Sequence, residues 1–191
     1  MGLEQAAEDL QQYLSNVAQE QQTKQTNNNQ DDVVYHQWAT FKVNNELYGI
    51  DVIKVKEVLR YSEMTPVPGA EPYVLGIINL RGNVVTVIDT RRLFGLQTVP
   101  TDDDTRIIVI EYNEQEVIGI VVDSVDEVIN LPQNDVDRAP SVTSDESTRR
   151  FVQGVCYHNG ILIILLDIMK MLTSITPDDS EEGPSEIPAS N

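Results

Sequence analysis

The sequence predicts a mainly β protein built from two similar halves, flanked by two tails of different composition. Three observations support this fold class. Val, Ile and Thr are concentrated in short segments separated by turn residues. One pattern of residues occurs twice along the chain. The hydrophobic fraction of 40% in 191 residues allows a sizeable core.

The bulk composition disfavours some classes of binding partner and indicates the cellular compartment. The net charge is −18, from 13 basic and 31 acidic side chains, which disfavours nucleic acid and anionic membrane surfaces. Cys156 is the only cysteine, so no intrachain disulfide is possible and a reducing compartment is expected. The start of the chain lacks the basic and apolar regions of a signal peptide, and the longest apolar run, 161–166, is far too short for a membrane helix. We therefore expect a cytoplasmic protein.

The two tails differ from the rest of the chain. Residues 1–32 predict an amphipathic helix followed by a polar linker, because apolar residues recur there at three- and four-residue spacing before a Gln- and Asn-rich stretch. The stripe consists of Leu3, Ala6, Ala7, Leu10, Leu14, Val17 and Ala18. Residues 177–191 predict a disordered acidic tail.

Between the tails, residues 33–176 predict a series of β-hairpins. Three pairs of β-rich segments flank short turns, namely 38–43 with 47–50, 106–112 with 116–122, and 152–157 with 161–166. In the last turn, Asn159-Gly160 can supply positive φ angles. Helix is expected only as one or two turns over 90–94 and 167–172.

An internal repeat is the most informative feature of this region. Residues 49–59 match 119–129 at an offset of 70, and residues 76–94 match 154–172 at an offset of 78. The glycines align, as do Glu57 with Glu127 and Asp89 with Asp167. We interpret the repeat as a duplication whose copies form two lobes, over about 36–96 and 106–172, that pack against each other. The longer offset predicts a longer loop between 131 and 151.

The residues do not indicate a catalytic site, a metal site or a cofactor. Neither a glycine-rich phosphate loop nor a zinc motif is present in the sequence. Cys156 lies in an apolar strand and is expected to be a small core residue. The Asp102–Asp104 run is interpreted as a solvated loop, since calcium sites need ligands at alternate positions. A small hydrolase using Ser124 with His158 remains the rival class, and an active-site serine probe would separate the two.

Two charged residues are candidates for binding. Glu57 follows an apolar pattern, and Arg81 lies in a predicted turn, Asn79 to Asn83. Arginine is a rigid bidentate donor that suits a carboxylate at an interface. The alternative is one solvated Glu and one solvated Arg with little energetic consequence, and residue chemistry alone leaves both open.

Residues 48–58, 74–82 and 87–89, together with 118–125, closely resemble the CheW family, the adaptors of bacterial chemotaxis arrays. The resemblance covers about residues 36–173. The chain departs from the family at Thr86, where proline is usual, and at Thr90, where leucine is usual. The longer relatives CheA and CheV carry this domain fused to others, and 191 residues leave no room for a kinase or receiver domain.

The resemblance implies two five-stranded SH3-like barrels packed together and a non-catalytic scaffold. The implied partners are the cytoplasmic tip of a chemoreceptor, bound in the groove between the barrels, and the regulatory domain of the CheA histidine kinase. Glu57 and Arg81 are expected to form an ion pair near that groove. The positions that match the family's partner-binding residues are Val55, Glu57, Gly76, Arg81, Ile107, Gly119 and Val125. Which receptors the chain serves, and which output the pathway controls, are not predicted.

Overall fold

The computed structural model describes residues 33–114, 116–138 and 149–176, so the expectations for 1–32 and 177–191 lie outside the described residues. Within these ranges the strands are β1 (Tyr35–Val43), β2 (Glu46–Asp51), β3 (Val55–Arg60), β4 (Val74–Leu80), β5 (Asn83–Asp89), β6 (Arg106–Glu111), β7 (Val117–Val122), β8 (Ser124–Pro132), β9 (Val152–His158) and β10 (Ile161–Leu166). The short helices are α1 (Thr90–Leu93) and α2 (Ile168–Thr173), with 3-10 turns at Val52–Lys54 and Gln133–Asp135. The predicted fold class and the three hairpins are confirmed.

The strands form two five-stranded sheets of equivalent order. Sheet A has the order β8-β1-β2-β10-β9, and sheet B has the order β3-β6-β7-β5-β4. In each sheet one neighbouring pair is parallel, β10 with β2 and β5 with β7, and the other pairs are antiparallel.

The two copies of the repeat exchange strands between these sheets. The first copy, β1–β5, places β1 and β2 in sheet A and its last three strands in sheet B, while the second copy, β6–β10, does the reverse. The expectation that each copy forms its own lobe is therefore corrected. The crossing is short, since only the 3-10 turn Val52–Lys54 separates β2 from β3 and only Asp123 separates β7 from β8. A hydrophobic pattern indicates where strands lie and which face is buried, and it does not determine which strands pair.

The two edges of each sheet are brought together by the same device. After β3, Thr65 exchanges two backbone hydrogen bonds with Ile77 on β4, and after β8, Asp137 does so with Val155 on β9. Both edge strands β4 and β9 also carry a bulge at the equivalent positions, Leu75 and Gln153. Sheets whose edges meet in this way are consistent with the predicted five-stranded barrels.

The described residues form three apolar clusters. One lies within sheet A, one lies within sheet B, and the largest joins both sheets with α1 and α2. Side chains of a strand alternate between its two faces, so one strand can contribute to two clusters. On β6, Ile107 and Val109 face the cluster of sheet B, while Ile108 and Ile110 face the cluster between the sheets. Packing between the sheets thus supplies the largest of the three clusters and adds to the small core within each sheet.

The aligned aspartates begin the two helices. The Asp89 carboxylate accepts hydrogen bonds from the backbone N–H groups of Arg91 and Arg92, and Asp167 accepts one from Lys170. The turns before these helices also correspond, with positive φ at Arg81 and Gly82 in one copy and at Asn159 and Gly160 in the other. The repeat inferred from the sequence is confirmed at the level of strands, bulges, turns and caps.

Candidate partner-binding site

Glu57 and Arg81 form an ion pair across the edges of sheet B. Arg81 follows edge strand β4, Glu57 lies on edge strand β3, and the Arg81 Nη2 to Glu57 Oε1 distance is 2.9 Å. The predicted ion pair is confirmed. The side chain of Glu57 is 16% exposed and that of Arg81 is 77% exposed, so a sheltered carboxylate holds a guanidinium that faces solvent.

The turn that carries Arg81 is itself fixed. Arg81 has φ of 52° and is followed by Gly82, whose N–H donates to the side-chain oxygen of Asn79 at 2.9 Å. The position of the guanidinium is therefore set by the turn as well as by Glu57. Such pre-organisation lowers the entropy lost when a partner binds.

The pair opens onto a pocket of about 250 Å³. Its lining residues are Lys56, Glu57, Leu80, Arg81, Asn83, Val109 and Val117. All of them lie on the strands of sheet B or, for Arg81, in the β4–β5 turn. The pocket is therefore formed at one end of sheet B, and the expected position of the ion pair near a groove between the barrels stays a prediction. We call this pocket the mouth of sheet B.

Three of the predicted contact residues lie in the interior. Val55 is 7% exposed and Val125 is 4% exposed, both in the cluster between the sheets, while Ile107 is fully buried in the cluster of sheet B. Burial gives each of them a role in packing. Their assignment as partner contacts stays a prediction.

The two predicted glycines permit close approach of neighbouring chain segments. A Cβ at Gly76 would lie 2.5 Å from the carbonyl oxygen of Thr65, and one at Gly119 would lie 2.8 Å from Cγ2 of Ile107. Gly154 and Gly49 occupy the equivalent positions of the other copy and meet similar obstacles. Close packing explains all four glycines, against neighbouring backbone at Gly76 and Gly154 and against buried side chains at Gly49 and Gly119. A contact between Gly76 or Gly119 and a partner stays a prediction.

An ion pair between Arg91 and Asp123 was not predicted. Arg91 Nε and Nη2 donate to the two carboxylate oxygens of Asp123 at 2.8 and 2.6 Å, and the N–H of Asn44 donates to the same carboxylate. The hydrogen bond to Asp123 raises the pKa of the Arg91 guanidinium. The pair connects α1 to the crossing between β7 and β8 and to the β1–β2 turn. The repeat contains a signal for this pair. Arg91 aligns with Met169 and Asp123 aligns with Ile53, so two charged residues stand where the equivalent positions are apolar.

The residues considered for chemistry have structural surroundings. Cys156 is fully buried in the cluster of sheet A, where burial, and then the charge of Asp135, raises the pKa of its thiol. Asp102 accepts hydrogen bonds from the backbone N–H groups of Asp104 and Thr105 and from the Thr105 hydroxyl. The bond from Asp104 is the largest cause that lowers the pKa of the Asp102 carboxyl. The carboxylate of Asp102 thus caps its own loop.

Within residues 33–114, 116–138 and 149–176, no group of three His, Cys, Asp or Glu side chains is arranged to hold a metal ion. In the same part of the chain, no hydrogen bond joins Ser124 to His158. Nor does any helix there reach the length and apolarity needed to span a membrane.

Comparison with known proteins identifies the family. A family model described as the CheW-like domain matches residues 37–176. The chemotaxis protein CheW of Klebsiella aerogenes is 35% identical over 143 residues, which cover 75% of this chain and 85% of that protein. The chemotaxis protein CheW of Bacillus subtilis is 38% identical over 125 residues, covering 65% of this chain and 80% of that protein.

A solved structure agrees with these sequence matches. The crystal structure of the scaffolding protein TtCheW from Thermoanaerobacter tengcongensis matches with a TM-score of 0.66 and 32% identity, covering 72% of this chain and 92% of that chain. The domain match, the sequence identities and the shared structure together show that this chain belongs to the CheW family.

Proposed function

We propose that this chain is a non-catalytic adaptor that links the cytoplasmic tip of a chemoreceptor to the regulatory domain of a CheA histidine kinase. The adaptor binds both partners and changes no covalent bond. Receptor state is transmitted because the contacts differ in strength between signalling states. Membership of the CheW family and the likeness to a scaffolding protein support the adaptor part of the proposal.

The observation that carries the receptor part is the exposed guanidinium of Arg81. One terminal nitrogen is bonded to Glu57, and the side chain is 77% exposed, so further N–H donors face solvent. A guanidinium recognises a carboxylate or a backbone carbonyl with defined geometry. In this proposal Glu57 and Arg81 meet the receptor directly. The other predicted residues are buried or tightly packed, so in this proposal they hold the strands of both sheets in place, namely Val55, Gly76, Ile107, Gly119 and Val125.

The test is a binding titration with the cytoplasmic fragment of a receptor from the same organism. Arg81→Glu and Glu57→Arg should each weaken binding by about tenfold or more, because each places two like charges together. The double swap should recover part of the loss. Lys170→Glu changes an exposed charge on α2 and serves as the matched control, with binding unchanged. Wild-type affinity in folded Arg81→Glu would contradict the assignment.

A further inference from the structure

The tip of the β9–β10 hairpin exposes three large apolar side chains. Tyr157 is 69% exposed, Ile161 is 56% exposed and Leu162 is 43% exposed. Tyr157 and Leu162 are cross-strand partners on one face, and Ile161 pairs with His158 on the other. We call these three residues the hairpin patch. Single exposed apolar side chains are ordinary, whereas a cluster of them marks an interaction surface.

The duplication provides an internal control for this patch. The β4–β5 hairpin has the same pairing and the same positive-φ turn, and its equivalent positions carry Asn79, Asn83 and Val84. Two of the three positions are therefore polar in a hairpin of the same construction. The fold does not require Tyr157, Ile161 and Leu162 to be apolar, and their exposure has no compensating role in the core.

The charges at this end of sheet A differ from those at the mouth of sheet B. Lys56, Glu57 and Arg81 line the mouth of sheet B, and the equivalent residues at sheet A are Asp126, Glu127 and Asn159. Two cations are thus replaced by one anion and one neutral amide.

The strands next to the patch add to the negative charge. Because Ile163 pairs with Leu47 in the parallel β10–β2 ladder, Leu162 lies beside Glu46. One cation lies nearby, since Lys42 on β1 pairs with Leu47 on β2. Glu46, Asp126 and Glu127 outweigh it, so this end of sheet A is apolar and anionic.

We propose that the hairpin patch is a second docking surface, and that its occupant is a partner segment combining large apolar side chains with Lys or Arg. The apolar side chains would cover Tyr157, Ile161 and Leu162, and the basic ones would meet Glu46, Asp126 and Glu127. A second copy of this chain is a poor occupant, since each copy carries a net charge of −18. The surface differs from the Glu57–Arg81 site and does not depend on the function proposed for it.

The test uses the full chain and two designed helical peptides of about 14 residues, one of Leu and Lys and one of Leu and Glu in the same pattern. The Leu/Lys peptide should bind, with an affinity that falls as salt is added. The triple variant Tyr157→Asn/Ile161→Asn/Leu162→Val, which carries the side chains of the other hairpin, should bind it at least about tenfold more weakly. Val84→Asn changes the exposed apolar residue of that other hairpin and should leave binding unchanged. Tyr157→Asn alone gives the same direction of change should the triple variant fail to fold.

Several outcomes would overturn the proposal. Undiminished binding of the Leu/Lys peptide to the folded variants would show that the patch is not the site. Equal binding of the Leu/Glu peptide would remove the preference for basic partners. Self-association of the wild type that the triple variant loses would assign the patch to a second copy. A gain of about tenfold in peptide affinity on deleting residues 1–32 would assign it to the apolar stripe of this chain. Glu57→Arg should leave peptide binding unchanged, which separates this site from the proposed receptor site.

Discussion

At the scale of single residues, sequence chemistry identified Glu57 and Arg81 as binding candidates and left open whether they pair, and the ion pair was expected only together with the family resemblance. An arginine next to a glycine in a turn, and a glutamate in an apolar strand, indicate a possible pair. The unequal exposure of the two side chains depends on how closely β3 and β4, the two edge strands of sheet B, approach each other. The burial of Val55, Ile107 and Val125 depends on packing between strands that are far apart in the sequence, and strand periodicity alone does not show it.

The buried hydroxyl of Thr90 lowers the free energy of unfolding, and a substitution can remove this effect. Its side chain is fully buried, and its hydroxyl has no hydrogen-bond partner among the described residues. Thr90→Val keeps the shape and deletes the hydroxyl, so the free energy of unfolding should rise by about 1 kcal/mol. Thr90→Ser keeps the hydroxyl and deletes a methyl group, and it should destabilise the fold. Urea unfolding measures both, and a loss of stability in Thr90→Val would show that the hydroxyl is hydrogen-bonded.

At the scale of strands and helices, the sequence predicted the elements well and their pairing poorly. The segments rich in Val and Ile, the Asn159-Gly160 turn and the short helices expected over 90–94 and 167–172 all correspond to elements that the structure contains. The exchange of strands between the copies was not predicted, because both possible pairings bury the same faces. The Arg91–Asp123 ion pair was missed since its members are 32 residues apart and break the repeat.

A substitution at Gly154 tests the backbone bridge between Asp137 and Val155, which joins the edges of sheet A. A Cβ at this position would lie 2.7 Å from Cγ1 of Val136 and 2.8 Å from the carbonyl oxygen of Asp137. Gly154→Ala should therefore strain the Asp137–Val155 bridge and lower the free energy of unfolding by about 1–3 kcal/mol. Gln153→Ala, at the exposed bulge position beside it, is the control and should change stability by less than about 0.5 kcal/mol. Equal effects of the two substitutions in denaturant unfolding would contradict this role for Gly154.

At the scale of the whole molecule, the exchange of strands makes the two halves interdependent. Each sheet takes strands from both copies, and the largest cluster contains residues of both. Residues 33–100 and 101–176, produced separately, should each lack a cooperative thermal transition, and mixing them should restore one. Circular dichroism during heating measures this. A cooperative transition in either half alone would show that the copies can fold as separate lobes.

The tails are expected to contribute little to stability. Residues 19–32 and 177–191 contain almost no large apolar side chains, so they have little apolar surface to bury against the domain. The fragment 33–176 should therefore unfold within about 4 °C of the full chain. A larger fall in the melting temperature would show that the apolar stripe of the first tail packs on the domain.

The central claim is that one molecule of this chain holds a receptor and a kinase together. The measurement is autophosphorylation of the cognate CheA kinase, with receptor cytoplasmic fragments on a membrane mimic, as the concentration of this chain is varied. Activity should rise and then fall, because one adaptor makes the second encounter effectively intramolecular and excess adaptor occupies the partners separately. The chain alone should phosphorylate nothing. Kinase activity that does not depend on the chain at any concentration, with neither partner bound, would contradict the account.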